Sequence, residues 1–162
     1  MRGPDAVYVA VVGPGECTGA EDDLALEVGR LLAEAGAVVV CGGSTGVMEA
    51  AARGVAEAGG TCIGILPGFD RADGNPYLSF AIPTGMGEMR NALIARSADA
   101  VVAVGGEFGT LSEIAFALKI GRPVVGLRTW DLIRRGEPVT GIHVATTPAE
   151  AVGSALRLAR RH

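Results

Sequence analysis

Three runs of small and β-branched residues, each closed by glycine, constrain the fold of this chain more than any other feature. Val7–Val12 ends in Gly13-Pro14-Gly15, Ala37–Cys41 in Gly42-Gly43-Ser44-Thr45-Gly46, and Ala100–Val104 in Gly105-Gly106-Glu107-Phe108-Gly109-Thr110. A short strand that is apolar at almost every position is buried on both faces, which requires helices above and below its sheet. A glycine turn opening straight into a helical pattern supplies such a helix and returns the chain to a parallel neighbour. Composition agrees. Hydrophobic residues make up 49% of the 162 residues and charged residues 20%, which suffices for one self-sufficient core and argues against disorder.

The alternation continues from end to end without linker, repeat or low-complexity tract, so residues 1–162 read as one domain. Thr18 and Glu21 form a capping box for a helix with Leu24, Val28, Leu31, Leu32 and Ala35 on one face, stopped at Gly36. The second helix aligns Val47, Ala51, Val55 and Ala58, and Thr61–Leu66 is the third strand. Pro67–Leu78 is a long loop, Ser79–Ile82 a short strand, and Gly85–Ser97 a helix with Met89, Leu93 and Arg96 in a row. After the Ala100–Val104 strand, a helix carries Leu111, Ile114, Ala115 and Leu118 as its stripe and closes at Gly121. Pro123–Leu127 and Val139–Val144 are the last strands and Pro148–Arg161 the last helix. The pattern predicts an α/β fold: a Rossmann-like three-layer sandwich with a mostly parallel sheet of about six or seven strands.

In such sheets ligands lie beyond the carboxyl ends of the strands. Glycine there allows the backbone to approach an anion, and the unpaired N–H groups of the following helix point at it. Tight turning alone also accounts for any one glycine cluster; three clusters in one domain favour a phosphorylated ligand. The candidate contacts are Gly13 and Gly15, then Gly42, Gly43, Ser44, Thr45 and Gly46, then Gly105, Gly106, Glu107, Phe108, Gly109 and Thr110. The first turn shares only its spacing of glycines with a dinucleotide fingerprint. Where that fingerprint places a ribose-binding acid about 20 residues on, Cys41-Gly42-Gly43 stands instead, which argues against NAD. The lone lysine, Lys119, sits late in a helix, so there is no lysine-bearing P-loop.

Gly42-Gly43-Ser44-Thr45-Gly46-Val47-Met48 resembles the GGGxxGLM segment of the LOG family, once described as lysine decarboxylases. Gly106-Glu107-Phe108-Gly109-Thr110-Leu111-Ser112-Glu113 is similar to that family's PGGxGTxxE signature, and Met89-Arg90-Asn91 stands where the family has an Arg-Lys pair. Gly105 replaces the signature proline, Glu107 its second glycine and Asn91 the lysine. These departures look closer to a sister group that includes the molybdenum cofactor carrier proteins. The resemblance implies a shared fold and phosphate site, a nucleoside monophosphate or molybdopterin-type ligand, no required cofactor, and a homo-oligomer, dimer or tetramer.

It also implies catalytic roles for Arg90 and Glu113. In LOG enzymes the matching pair serves hydrolysis of the N-glycosidic bond of nucleoside 5'-monophosphates, giving free base and ribose 5-phosphate. A carboxylate near the anomeric carbon would stabilise an oxocarbenium-like transition state. The alternative for Glu113 is structural, because Thr110-x-x-Glu113 is itself a capping box at a helix start. Three readings therefore stand at this point: binding of a phosphorylated nucleotide-like or pterin-type ligand, phosphoribohydrolase activity, and, least favoured because a vestigial pocket need not keep Arg90 and Glu113, a scaffold or interaction protein that retains only the fold. Glu107 in an anion loop repels phosphate unless it points away or pairs with Arg90. Ser44 and Thr45 read as N-caps with hydroxyls available to a ligand, His143 as a packed histidine, and Asp70, Arg71 and Asp73 as solvated or lid residues.

A net charge of −4 argues against non-specific nucleic-acid binding. Cys17, Cys41 and Cys62 lack metal spacing, so neither structural zinc nor disulfides are expected. No apolar stretch approaches the roughly 20 residues that span a bilayer, and Met1–Asp5 is too short for a signal peptide, which together predict a cytoplasmic protein with no membrane partner.

Overall fold

A computed structural model describes residues 5–160; most of the Met1–Asp5 segment and Arg161 lie outside the described residues. The elements are β1 (Tyr8–Val12), α1 (Gly19–Glu34), β2 (Val38–Cys41), α2 (Val47–Glu57), β3 (Thr61–Leu66), β4 (Phe80–Pro83), α3 (Asn91–Ser97), β5 (Ala100–Val104), α4 (Phe108–Lys119), β6 (Val124–Leu127), a β7–β8 hairpin (Ile133–Arg134 and Glu137–Pro138), β9 (Ile142–Ala145) and α5 (Pro148–Ala159). Seven strands form one sheet in the order β4-β3-β2-β1-β5-β6-β9. Every pairing in it is parallel. The protein is an α/β Rossmann-like three-layer sandwich.

The buried strands alternate their side chains between two cores. Val9, Val11, Val39, Cys41, Val102 and Val104 point toward α1, α2 and α5. Ala10, Val12, Val40, Val101 and Ala103 point toward α3 and α4. Small residues let the layers approach closely. A methyl group on Gly29 of α1 would lie 2.1 Å from the Ala51 carbonyl oxygen of α2, and one on Gly54 would lie 2.0 Å from that of Leu26. These glycines sit inside helices, where they cost helix propensity, because the α1–α2 contact admits no side chain.

Several helix faces differ from the sequence expectation. In α1 the Thr18–Glu21 capping box is present, but the buried stripe is Ala25, Val28, Gly29, Leu32 and Ala33, with Ala35 exposed. The segment expected as one helix over Gly85–Ser97 is a short 3-10 turn, Gly87–Arg90, followed by α3. Met89 and Leu93 face outward, and the inward row is Arg90, Asn91, Ile94 and Ala95. Arg90 turns inward because its guanidinium is anchored on the strand ends. His143 is exposed on the edge strand β9, and the β7–β8 hairpin has no counterpart in the sequence expectation.

The strand order carries the functional consequence. From β1 the chain builds outward to β2, β3 and β4, then returns to place β5 on the other side of β1. The turns after β1 and β5 leave in opposite directions and open a crevice between them, the position at which open α/β sheets bind ligands.

Candidate functional site

A cavity of about 340 Å³ occupies that crevice. One wall is the turn after β1, Gly13, Pro14 and Gly15, with Met48 of α2 beside it. The other is the start of α4, through Glu107, Gly109, Thr110 and Glu113. Pro67 after β3 and Glu88, Arg90 and Asn91 before and at the start of α3 close it.

α4 begins one turn earlier than the capping-box reading of Thr110 and Glu113 requires. Its N-cap is Glu107, whose side chain caps nothing. Leu111 is the first residue to find a helical acceptor, the Glu107 carbonyl at 2.9 Å. The amides of Phe108, Gly109 and Thr110 thus form the open end of the helix, with the positive end of its dipole. The Thr110 hydroxyl is buried without a hydrogen-bond partner among the described residues, and the residue is only 3% exposed. Thr110 and Glu113 are polar residues on the buried face of α4, so Glu113 projects from the second turn toward the cavity instead of reaching back to a cap.

Arg90 is held from three sides. Its Nε donates to the Ile65 carbonyl at 2.8 Å, its Nη2 to the Gly42 carbonyl at 3.3 Å, and its Nη1 to Asn91 Oδ1. Asn91 passes the connection on, donating through Nδ2 to Ser112 Oγ at 3.2 Å, and Ser112 donates to the Gly109 carbonyl at 2.6 Å. A lysine at position 91 has no acceptor for the arginine, so the Arg90–Asn91–Ser112–Gly109 chain depends on the asparagine that departs from the LOG pattern. Burial pulls Arg90 below the ordinary arginine range, while Glu113, Cys41 and Glu88 oppose that shift. It nonetheless remains a cation.

Glu113 is 6% exposed. Burial raises its pKa to about 8, against the opposing charge of Arg90. The two do not touch as an ion pair; among the described residues the ion pairs are Arg30 with Glu27 and Glu34, and Arg53 with Asp22. Burial thus favours the protonated form of Glu113, the form that can donate a hydrogen bond into the cavity. Glu107 is exposed and is not paired with Arg90. Its backbone carbonyl accepts from Trp130 Nε1 at 3.3 Å, and the Trp130 ring lies 5.8 Å from that of Phe108.

The turn after β2 stands one strand away and does not line the cavity. Gly42 and Gly43 are buried, and their carbonyls accept from Arg90 and from the Asn75 amide. The Ser44 carbonyl accepts from Asn75 Nδ2. Neither Ser44 nor Thr45 caps α2: the N-cap is Gly46, at φ 67°. A methyl group there would fall 2.3 Å from the Pro14 carbonyl oxygen. Thr45 instead donates its hydroxyl to the Gly15 carbonyl at 2.8 Å, and the Val47 amide bonds the Pro14 carbonyl at 3.1 Å. This turn braces the first one. Gly105 and Gly106 lie beside the cavity and are packed against Glu21 and Trp130. Asp70, Arg71 and Asp73 are exposed, and Asp70 caps a short turn through the Ala72 amide. Met48, Pro67 and Glu88 line the cavity without having been singled out in the sequence; Met48 belongs to the Gly42–Met48 segment, and Glu88 carries no local signal.

A family model for the SLOG cluster4 family matches residues 6–152. The chain belongs to that family. Its fold matches the molybdenum cofactor binding protein from Rippkaea orientalis at 33% identity and a TM-score of 0.87, over 96% of this chain and 99% of that one. The molybdenum cofactor carrier protein of Chlamydomonas reinhardtii matches at 34% identity and 0.82, over 94% and 98%. The cytokinin riboside 5'-monophosphate phosphoribohydrolase LOG of Oryza sativa subsp. japonica is 38% identical over 96 residues, 57% of this chain and 39% of that protein. The LOG-like and carrier-like resemblances drawn from the motifs thus hold at the level of family. Among the described residues no helix is long and apolar enough to cross a membrane, and no group of three or more His, Cys, Asp or Glu side chains is arranged to hold a metal.

Proposed function

We propose that this protein binds a phosphorylated small molecule of nucleotide-like or pterin type in the cavity between β1 and β5. The observation that carries this reading is the unpaired Thr110 hydroxyl beside the open amides of α4. A buried hydroxyl without a partner is costly unless a ligand satisfies it, and a helix start beside it is suited to phosphate oxygens. Arg90 at the back of the cavity supplies positive charge. The molybdenum cofactor proteins among the solved relatives support a molybdopterin-type ligand as one candidate. The assembly we propose is a homo-oligomer. Thermal-shift measurements with nucleoside monophosphates, phosphoribosyl compounds and pterin phosphates test the ligand class: at least one raises the midpoint in wild type, and Thr110→Val abolishes the shift. A folded protein stabilised by none of them would refute the reading.

A second reading is favoured by one specific observation, the presence of Arg90 and Glu113 in the same cavity. As a phosphoribohydrolase the site would place Glu113 against the ribose, with the phosphate at α4. Incubation with AMP and an N6-substituted AMP, followed by chromatography for free base, tests it; turnover unchanged by Glu113→Gln would exclude Glu113 from the reaction.

A further inference from the structure

Two thiols meet in the core that the sheet shares with α1 and α2. Cys41 closes β2 and Cys62 lies in β3; both are buried there, and neither lines the cavity between β1 and β5. Their sulfurs are 3.8 Å apart. In the register of β2 on β3, Cys62 stands opposite Val39 and Cys41 opposite Gly64, so the two are diagonal neighbours on one face. Parallel strands set the Cα atoms of such a pair about 8 Å apart. A disulfide spans at most about 7 Å without moving the backbone. The register therefore holds the sulfurs close while disfavouring a bond between them.

Two adjoining thiolates are soft ligands, suited to Cu(I). Metal–sulfur bonds of about 2.3 Å bridge sulfurs up to about 4.6 Å apart, so one ion reaches both of these. Structural zinc requires four ligands, and among the described residues no group of three or more His, Cys, Asp or Glu side chains is arranged to hold a metal. A monovalent ion between two thiolates leaves one negative charge. Arg90 offsets it, since its guanidinium donates to the carbonyl of Gly42, the residue after Cys41. The cover on this side is a loop. Leu78 packs on Gly64, where a methyl group would lie 2.5 Å from its Cδ1, and Tyr77 and Leu78 rest on the same core as the thiols. Asn75 ties that loop to the carbonyls of Gly43 and Ser44. Loop ends open locally at lower cost than the strands and helices beneath them.

We propose that Cys41 and Cys62 form a site for one soft monovalent metal ion of the Cu(I) class, reached by opening of the loop at Leu78. On binding, each thiol releases its proton to water and each sulfur donates an electron pair to the ion, whose oxidation state is unchanged. The site is separate from the cavity assigned above to a phosphorylated ligand.

The test is anaerobic titration of the reduced full chain with Cu(I) supplied as its bicinchoninate complex, for wild type, Cys41→Ala, Cys62→Ala and Cys17→Ala. Wild type and Cys17→Ala are expected to withdraw one Cu(I) per chain from the chelator, and the other two variants to lose that uptake. X-ray absorption of the loaded wild type is expected to show two sulfurs at about 2.3 Å, and an excess of zinc is expected not to displace the copper. No uptake by wild type, uptake retained in both core variants, or loss in Cys17→Ala would overturn the proposal. So would displacement by zinc, or a copper shell of nitrogen and oxygen. Circular dichroism checks that the variants fold; should Cys41→Ala or Cys62→Ala fail to, the absorption spectrum of wild type and the Cys17→Ala titration decide the matter.

Discussion

Replacing Glu113 by glutamine probes the cavity without any knowledge of its ligand. The side chain keeps its shape and loses its titration. In the native protein burial raises the carboxyl from an ordinary 4.5 to about 8. Between those values the folded state holds a proton that the unfolded chain has released, so stability falls as pH rises through this window. Above pH 8 the whole effect is present. A shift of that size corresponds to about 5 kcal/mol, and water entry into an open cavity brings the expected cost to about 2–3 kcal/mol. Glu113→Gln is therefore expected to match wild type within about 1 kcal/mol at pH 5 and to exceed it by about 2–3 kcal/mol at pH 9. Urea unfolding of both proteins at several pH values between 5 and 9 measures this, read as the difference between the two curves. A constant difference across the range would refute the reasoning, because it would mean that Glu113 titrates alike in the folded and unfolded chains.

Thr110→Val removes the unpaired buried hydroxyl and should raise the stability of the free protein by about 1 kcal/mol in urea unfolding while abolishing ligand-induced stabilisation. Asn91→Leu cuts the Arg90–Ser112 connection; the expected loss is about 1–3 kcal/mol in the same assay, with a smaller thermal shift from any ligand. Gly29→Ala forces α1 from the Ala51 carbonyl and should cost about 1–3 kcal/mol, lowering the thermal midpoint by calorimetry. The proposed homo-oligomer has a candidate surface in Phe80 and Ile82, 63% and 47% exposed on the edge strand β4. Light scattering after size exclusion should give a multiple of the chain mass for wild type and the single-chain mass for the double variant Phe80→Glu, Ile82→Glu.

The amino-acid sequence by itself determined the class of fold. Strands apolar at nearly every position, glycine turns and the Thr18–Glu21 cap are local features, and local propensity and periodicity express them without reference to the rest of the chain. The motifs around Gly42 and Gly106 likewise carried the family. Strand order is not local, and it decided the site. Because β5 returns beside β1, the turn after β1, with only a loose dinucleotide pattern, lines the cavity, while the more distinctive turn after β2 braces it from one strand away. The same placement made Thr110 and Glu113 buried cavity residues. Their spacing alone reads equally well as a cap, and only where α4 begins distinguishes the two. Arg90 and Asn91 have the same history: a polar pair in a row of exposed side chains becomes inward-facing because the carbonyls of Gly42 and Ile65, 48 and 25 residues away in the chain, converge on one guanidinium. Hydrogen-bond partners so distant in sequence are brought together by the packed sheet, and no pattern along the chain encodes their distance.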